Sequence, residues 1–102
     1  MDIKQLTEEM NRLVRSKGWY AEDGKRPQTP RNLAISLSVE AAEILEHFQF
    51  SENAKDKTEL AGELADVALY LLQLASVTGI NLENAILEKI KINKTREWDQ
   101  EK

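Results

Sequence analysis

The chain has 102 residues, 41% hydrophobic and 31% charged, with a formal net charge of -4 and no cysteine. This composition reads as one soluble, globular domain. It excludes a disulfide framework and thiolate chemistry, and it lacks the basic footprint that binding to DNA or RNA rests on.

The start, MDIKQLTEEM, has neither the basic beginning nor the apolar run of a signal peptide, so a cytoplasmic setting is expected. Ile3, Leu6, Met10 and Leu13 recur at helical spacing, and Gly18 closes this first helix. GWYAEDGKRPQTP follows, with two glycines and both prolines of the chain. It reads as a long loop, and loops of that length are more often functional than idle. A second helix is expected from near Pro30 to about Phe50, with Leu33, Leu37, Ala41, Ile44 and Phe48 on one stripe. After the polar connection SENAKDK, a third helix should run from about Lys57 to Thr78 and end at Gly79 in a left-handed cap. Its most apolar part, Val67 to Val77, is shorter than the roughly 20 residues of a bilayer span, so no membrane contact is expected. The fourth helix takes Asn81 as its N-cap and continues through Leu82, Ile86 and Ile90. The fold class read from this pattern is all-α, a four-helix bundle forming a single domain over residues 1–102.

Two short motifs put acids where a core is expected. VEAAEILEHF sets Glu40 and Glu43 three positions apart, and ELAD does the same with Glu63 and Asp66. Each pair lies about 60° and one turn apart on its helix. Glu40 flanks the apolar stripe of the second helix, whereas Glu46 and Gln49 are expected on the opposite side. On the third helix, Leu60, Leu64, Val67, Leu71 and Leu74 form one apolar stripe. Ala65, Leu69 and Leu72 form another, and Glu63, Asp66 and Tyr70 fill the seam between them. Carboxylates converging between the two helices would repel by on the order of 4 kcal/mol per pair at 4 Å and an effective dielectric near 20. Protonation or a cation must offset that, and oxygen-only ligands suit Mg²⁺ or Mn²⁺. Either motif by itself reads more readily as a solvated helix face, and it is the two together, flanked by apolar stripes, that favour a site.

The last helix carries the opposite charge. Lys89, Asn93 and Arg96 continue the face begun by Leu82 and Ile86, so that stripe turns from apolar to cationic along its length. Such a face can hold phosphoryl oxygens, or it can simply answer the helix dipole.

VEAAEILEHFQF, then ELAGELADVALYLLQLA, then INLENAILEKIKINKTREW resembles the MazG-like nucleotide pyrophosphohydrolases of the all-alpha superfamily. The likeness is to the dCTP-pyrophosphatase and integron MazG-like branch, and it runs from about Trp19 to Trp98. Its most specific parts are the paired ExxE and ExxD, the PRNL before the second helix, the FQ-aromatic at its end and the K…N…R series. The resemblance implies Mg²⁺ held by Glu40, Glu43, Glu63 and Asp66. It also implies hydrolysis of a nucleoside triphosphate between its α and β phosphates, giving a monophosphate and pyrophosphate. By the same likeness Lys89, Asn93 and Arg96 would hold phosphates, Asn32 and Tyr70 would line the nucleotide site, and Trp19 with Phe50 would flank the base. The branch usually has Trp where this chain has Phe50, and REWDQEK departs from its usual Arg-Tyr ending, so the correspondence stops at Arg96.

No side-chain nucleophile is needed if water attacks. Glu43 lies farther from the apolar stripe than Glu40 and is the candidate to take the water's proton. His47, the sole histidine, reads as a structural or exposed residue. Trp19 could equally be a staple onto the first helix. Apolar residues on two faces of the third helix predict a homo-oligomer, a dimer or a tetramer built from dimers. A non-catalytic helical dimerisation or interaction module is the alternative from another class, and it would bind no metal tightly. A carboxylate-bridged di-iron bundle fails because its ExxH motifs are absent.

Overall fold

The computed structural model describes residues 1–20 and 27–96. The middle of the loop after Gly18 and the chain end beyond Arg96 therefore lie outside the described residues. Among the described residues there are four helices and no strand: α1 (Ile3–Ser16), α2 (Pro30–Glu46), α3 (Lys57–Val77) and α4 (Leu82–Lys94).

Each helix starts where its sequence supplies a cap. Asp2 and Gln5 form a reciprocal capping box on α1, with bonds of 2.8 and 2.9 Å. The side chains of Thr29, Asp56 and Asn81 accept from the first-turn amides of α2, α3 and α4. α1 and α3 end in matching Schellman caps. Gly18 has φ +70, with the Gly18 amide donating to Arg15 O and that of Trp19 to Val14 O. Gly79 has φ +72, with the Gly79 amide donating to Ser76 O and that of Ile80 to Ala75 O. A Cβ at Gly79 would meet nothing within 4 Å, so its cost is backbone strain alone. Gly79→Ala is expected to destabilise by roughly 1 kcal/mol, to be read from a thermal or urea melt.

α2 stops at Glu46, four residues short of the expected Phe50. No glycine ends it. Instead the amides of His47, Phe48 and Gln49 donate to the carbonyls three residues back, at 3.1, 3.0 and 3.5 Å. Tightening to three residues per turn stacks positions three apart. Gln49 therefore comes round toward Glu46, and Glu46, still in the regular helix, lies only about 60° from Glu43, so neither is on the side away from the acids that was expected.

α2 packs along α3, α1 packs on α3, and α4 leans chiefly on α1. The buried centre is small: Met10, Val14 and Leu72, with Ile3, Tyr20 and Leu82 packed against it. A polar seam ties α1 to α3, as the Tyr20 hydroxyl donates to Asn11 Oδ1 at 2.6 Å and Asn11 Nδ2 to Ser76 Oγ at 3.0 Å. Burial raises the Tyr20 phenol above its ordinary value, opposed by a hydrogen bond with Gln73 and the charge of Arg15. The α4 stripe of Leu82, Ile86 and Ile90 is buried only at its start, since Ile86 and Ile90 stay exposed.

The fold is open for its mass. Its radius of gyration is 16.3 Å, where a compact chain of this length has about 13 Å. It exposes 8224 Å², where a compact monomer of its mass exposes roughly 5,900 Å². Much of the excess is apolar, with Leu45, Leu64, Leu87 and Ile92 all exposed. α3 as a whole has 21 residues and is apolar enough by length and composition to cross a membrane, which Val67 to Val77 alone is not. Its partners here are α2 and α1, and Glu63 and Asp66 sit within it.

Candidate active site

The packing of α2 on α3 brings the two acid pairs together. The Glu40 carboxyl is raised above its ordinary value by partial burial, then by the charge of Glu43, then by Asp66, with a hydrogen bond to Glu43 and the charge of Glu63 adding to the same direction. Four acids from two helices thus act on one another, as the motifs predicted. Their burial differs from the expectation of a closed seam: Glu40, Glu43 and Glu63 are half-buried, while Asp66 is exposed.

Glu63 has a partner that the sequence did not reveal. His47 Nε2 lies 2.6 Å from Glu63 Oε2. The ring is buried at 6% exposure, against 25% for the Glu63 side chain. His47 is therefore neither exposed nor incidental to the acids. Its signal was present in the spacing, since it falls four residues after Glu43 and seven after Glu40, on their side of α2. Its Nδ1 is buried without a partner, as is Oδ1 of Asn93.

Beside the acids lies an open groove of about 280 Å³, lined by Glu43, Glu46, His47, Gln49, Lys55, Glu59 and Glu63. Glu46 reaches it from the last turn of α2, Gln49 through the tightened turns that follow, Lys55 from the connection and Glu59 from the first turn of α3. Lys55 is the cation on its wall.

The other expected site residues are spread more widely. Lys89 and Asn93 lie on the second half of α4 and Arg96 just beyond its cap, and α4 rests on α1 with no substantial contact to α2. None of the three lines the groove. Tyr70 is half-buried on α3, one turn beyond Asp66. Asn32 is exposed in the first turn of α2, and its Nδ2 donates to Pro27 O at 3.0 Å. Trp19 is partly exposed at the α1 cap, and Phe50, beyond the end of α2, is 83% exposed.

The donor set is all oxygen and mutually repelling, which fits a hard divalent ion in ligand type. No group of three or more His, Asp and Glu side chains among the described residues stands ready to hold one. Glu40 is engaged by Glu43, and Glu63 gives one oxygen to His47.

The model of the MazG-like family matches residues 35–102, a span that takes in both acid pairs, α3 and α4. The chain belongs to the MazG-like family. Among curated proteins, this MazG-like chain is 32% identical over 83 residues to dCTP pyrophosphatase 1 of Rattus norvegicus and to that of Homo sapiens. Each alignment covers 72% of this chain and 49% of the relative, so the chain spans about half the length of those proteins. A dATP/dGTP diphosphohydrolase of Salmonella phage PMBT28 is 45% identical over 40 residues, 39% of this chain and 14% of the phage protein. Among solved structures, a pyrophosphatase from Archaeoglobus fulgidus superposes with a TM-score of 0.76 at 34% identity, covering 92% of both chains. The all-α MazG-like fold expected from the motifs is the fold observed.

Proposed function

We propose that this chain is a nucleoside triphosphate pyrophosphohydrolase, dependent on Mg²⁺ with Mn²⁺ as a substitute, that cleaves between the α and β phosphates. The observation that carries the reading is the convergence of Glu40, Glu43, Glu63 and Asp66 from two helices beside an open groove. Relatives named dCTP pyrophosphatase and dATP/dGTP diphosphohydrolase support the substrate class. dCTP and related deoxynucleotides are the first candidates, in a nucleotide-pool house-cleaning role in the cytoplasm.

In this reading Glu40, Glu43, Glu63 and Asp66 hold the divalent ion. When bound, the ion supplies Lewis acidity to the phosphoryl oxygens and to the attacking water. Glu43, on the groove wall, takes the proton of that water. The water oxygen forms a bond to the α phosphorus, the bond from that phosphorus to the bridging oxygen breaks, and pyrophosphate leaves with the electron pair. Lys89, Asn93 and Arg96 would steady the phosphates, with Trp19, Asn32, Phe50 and Tyr70 around the nucleoside.

Because α4 leans away from α2 and the chain exposes far more surface than its mass requires, the working unit in this proposal is a homo-oligomer, a dimer or a dimer of dimers. Light scattering at micromolar concentration is expected to find no monomer, and a monodisperse monomer overturns this part.

The activity is tested on a panel of nucleoside triphosphates with and without Mg²⁺, following both products. Monophosphate and pyrophosphate in equal amounts are expected. Orthophosphate release overturns cleavage between the α and β phosphates, whereas no cleavage combined with no heat of Mg²⁺ or Mn²⁺ binding favours the non-catalytic interaction module instead.

A further inference from the structure

We infer that His47 is a positioning residue for the cation site, one that fixes Glu63 through its Nε2–H; the inference rests on the proposed ligand set. The four acids repel one another, and a glutamate on an open helix face relieves repulsion by swinging its flexible side chain into water. Glu63 does not swing away. His47 sits at the C-cap of α2, almost fully buried, with its ring nitrogen 2.6 Å from Glu63 Oε2. In this inference Nε2 carries the hydrogen and donates it to the carboxylate oxygen, which accepts. The bond holds one oxygen of Glu63 toward α2 and leaves the other for a cation. It also sets a positive hydrogen end beside a concentrated negative charge. Carboxylate ligands of metal ions are characteristically held by such outer hydrogen bonds.

A merely structural contact between α2 and α3 would not call for this residue. His47 Nδ1 is buried with no partner, which disfavours the fold. An apolar side chain of similar size would pack there without that cost. The imidazole therefore brings something other than packing, and among the described residues the hydrogen-bond partner it reaches is Glu63.

The test compares wild type, His47→Leu and His47→Gln as full chains. Gln places an amide donor close to where Nε2 lies, whereas Leu fills the space without a donor. Mn²⁺ binding is measured by calorimetry, alongside turnover and the melting temperature of the metal-free protein. The expected result is a loss of roughly 10–100-fold in Mn²⁺ affinity and turnover for His47→Leu, partial recovery in His47→Gln, and a metal-free melting temperature for Leu no lower than that of wild type. Long-range proton–nitrogen NMR of the wild-type protein without metal should show the hydrogen on Nε2, whatever the variants' folding. Wild-type Mn²⁺ affinity in His47→Leu overturns the inference while leaving the metal site intact. Equal losses in Leu and Gln, or a hydrogen on Nδ1 in place of Nε2, also overturn it. A wild-type protein that binds no Mn²⁺ removes the ligand set itself, and the inference with it.

Discussion

Asp66→Asn is expected to lower Mg²⁺-dependent triphosphate cleavage by roughly a hundredfold or more, while the metal-free protein melts at the same temperature or slightly higher. Outer contacts to a metal ligand already carry 10–100-fold, and loss of a charged ligand should exceed that. Stability moves the other way. Asp66 is exposed, so its replacement lies in the class that shifts stability by within about 0.5 kcal/mol. Its charge is also one of those holding the Glu40 carboxyl up, and neutralising it relieves that repulsion. A residue serving the fold would lose stability and activity together, so opposite movement marks a site. Glu46 is unsuitable as the inert comparison, because it lines the groove with Glu43. Glu8→Gln, at an exposed position of α1, serves instead and should change neither property. Near wild-type turnover by Asp66→Asn across several nucleotides defeats the metal-site reading.

The elements legible from the sequence were those with local causes. Capping side chains and glycines determine helix ends within a turn, which is why α1, α3 and α4 lie where Asn81, Gly18 and Gly79 indicated. The acid pairs were legible for the same reason, since three-residue spacing has one meaning on a helix. What stayed hidden depends on departures from regular geometry and on contacts between helices. No sequence rule marks the tightened turn after Glu46, so the side on which Gln49 falls was misjudged, whereas Glu46, three residues after Glu43 on the regular helix, was legible beside it. Spacing places His47 on the acid side of α2, but that it meets Glu63 across the α2–α3 packing is a contact no periodicity supplies. The cationic face of α4 was readable as a face, but which surface it serves depends on how α4 packs, and within this chain it packs on α1.

Thermal stability with and without Mg²⁺ should diverge as pH rises. The Glu40 carboxyl lies above its ordinary value of 4.5 in the folded chain, through partial burial and then the charges of Glu43, Asp66 and Glu63. The folded state therefore binds this proton more tightly than the unfolded state does. Stability from this group is fully present below the unfolded pKa and is lost as pH rises through the raised folded one. Without metal, the protein should weaken over that window. A divalent ion reverses the sign, because it binds the ionised acids of the folded state and protons compete with it. At a hundredfold excess over its dissociation constant the ion adds about 2.7 kcal/mol, or roughly 10–20 °C in melting temperature for a domain of this size. That increment should shrink as pH falls through the raised Glu40 pKa and reach its full value above it. Melts run at constant ionic strength separate binding from general screening, and Asp66→Asn should show little of the Mg²⁺ increment at any pH. An increment that is flat with pH, or undiminished in Asp66→Asn, would mean that Mg²⁺ stabilises the fold from somewhere other than these four carboxylates.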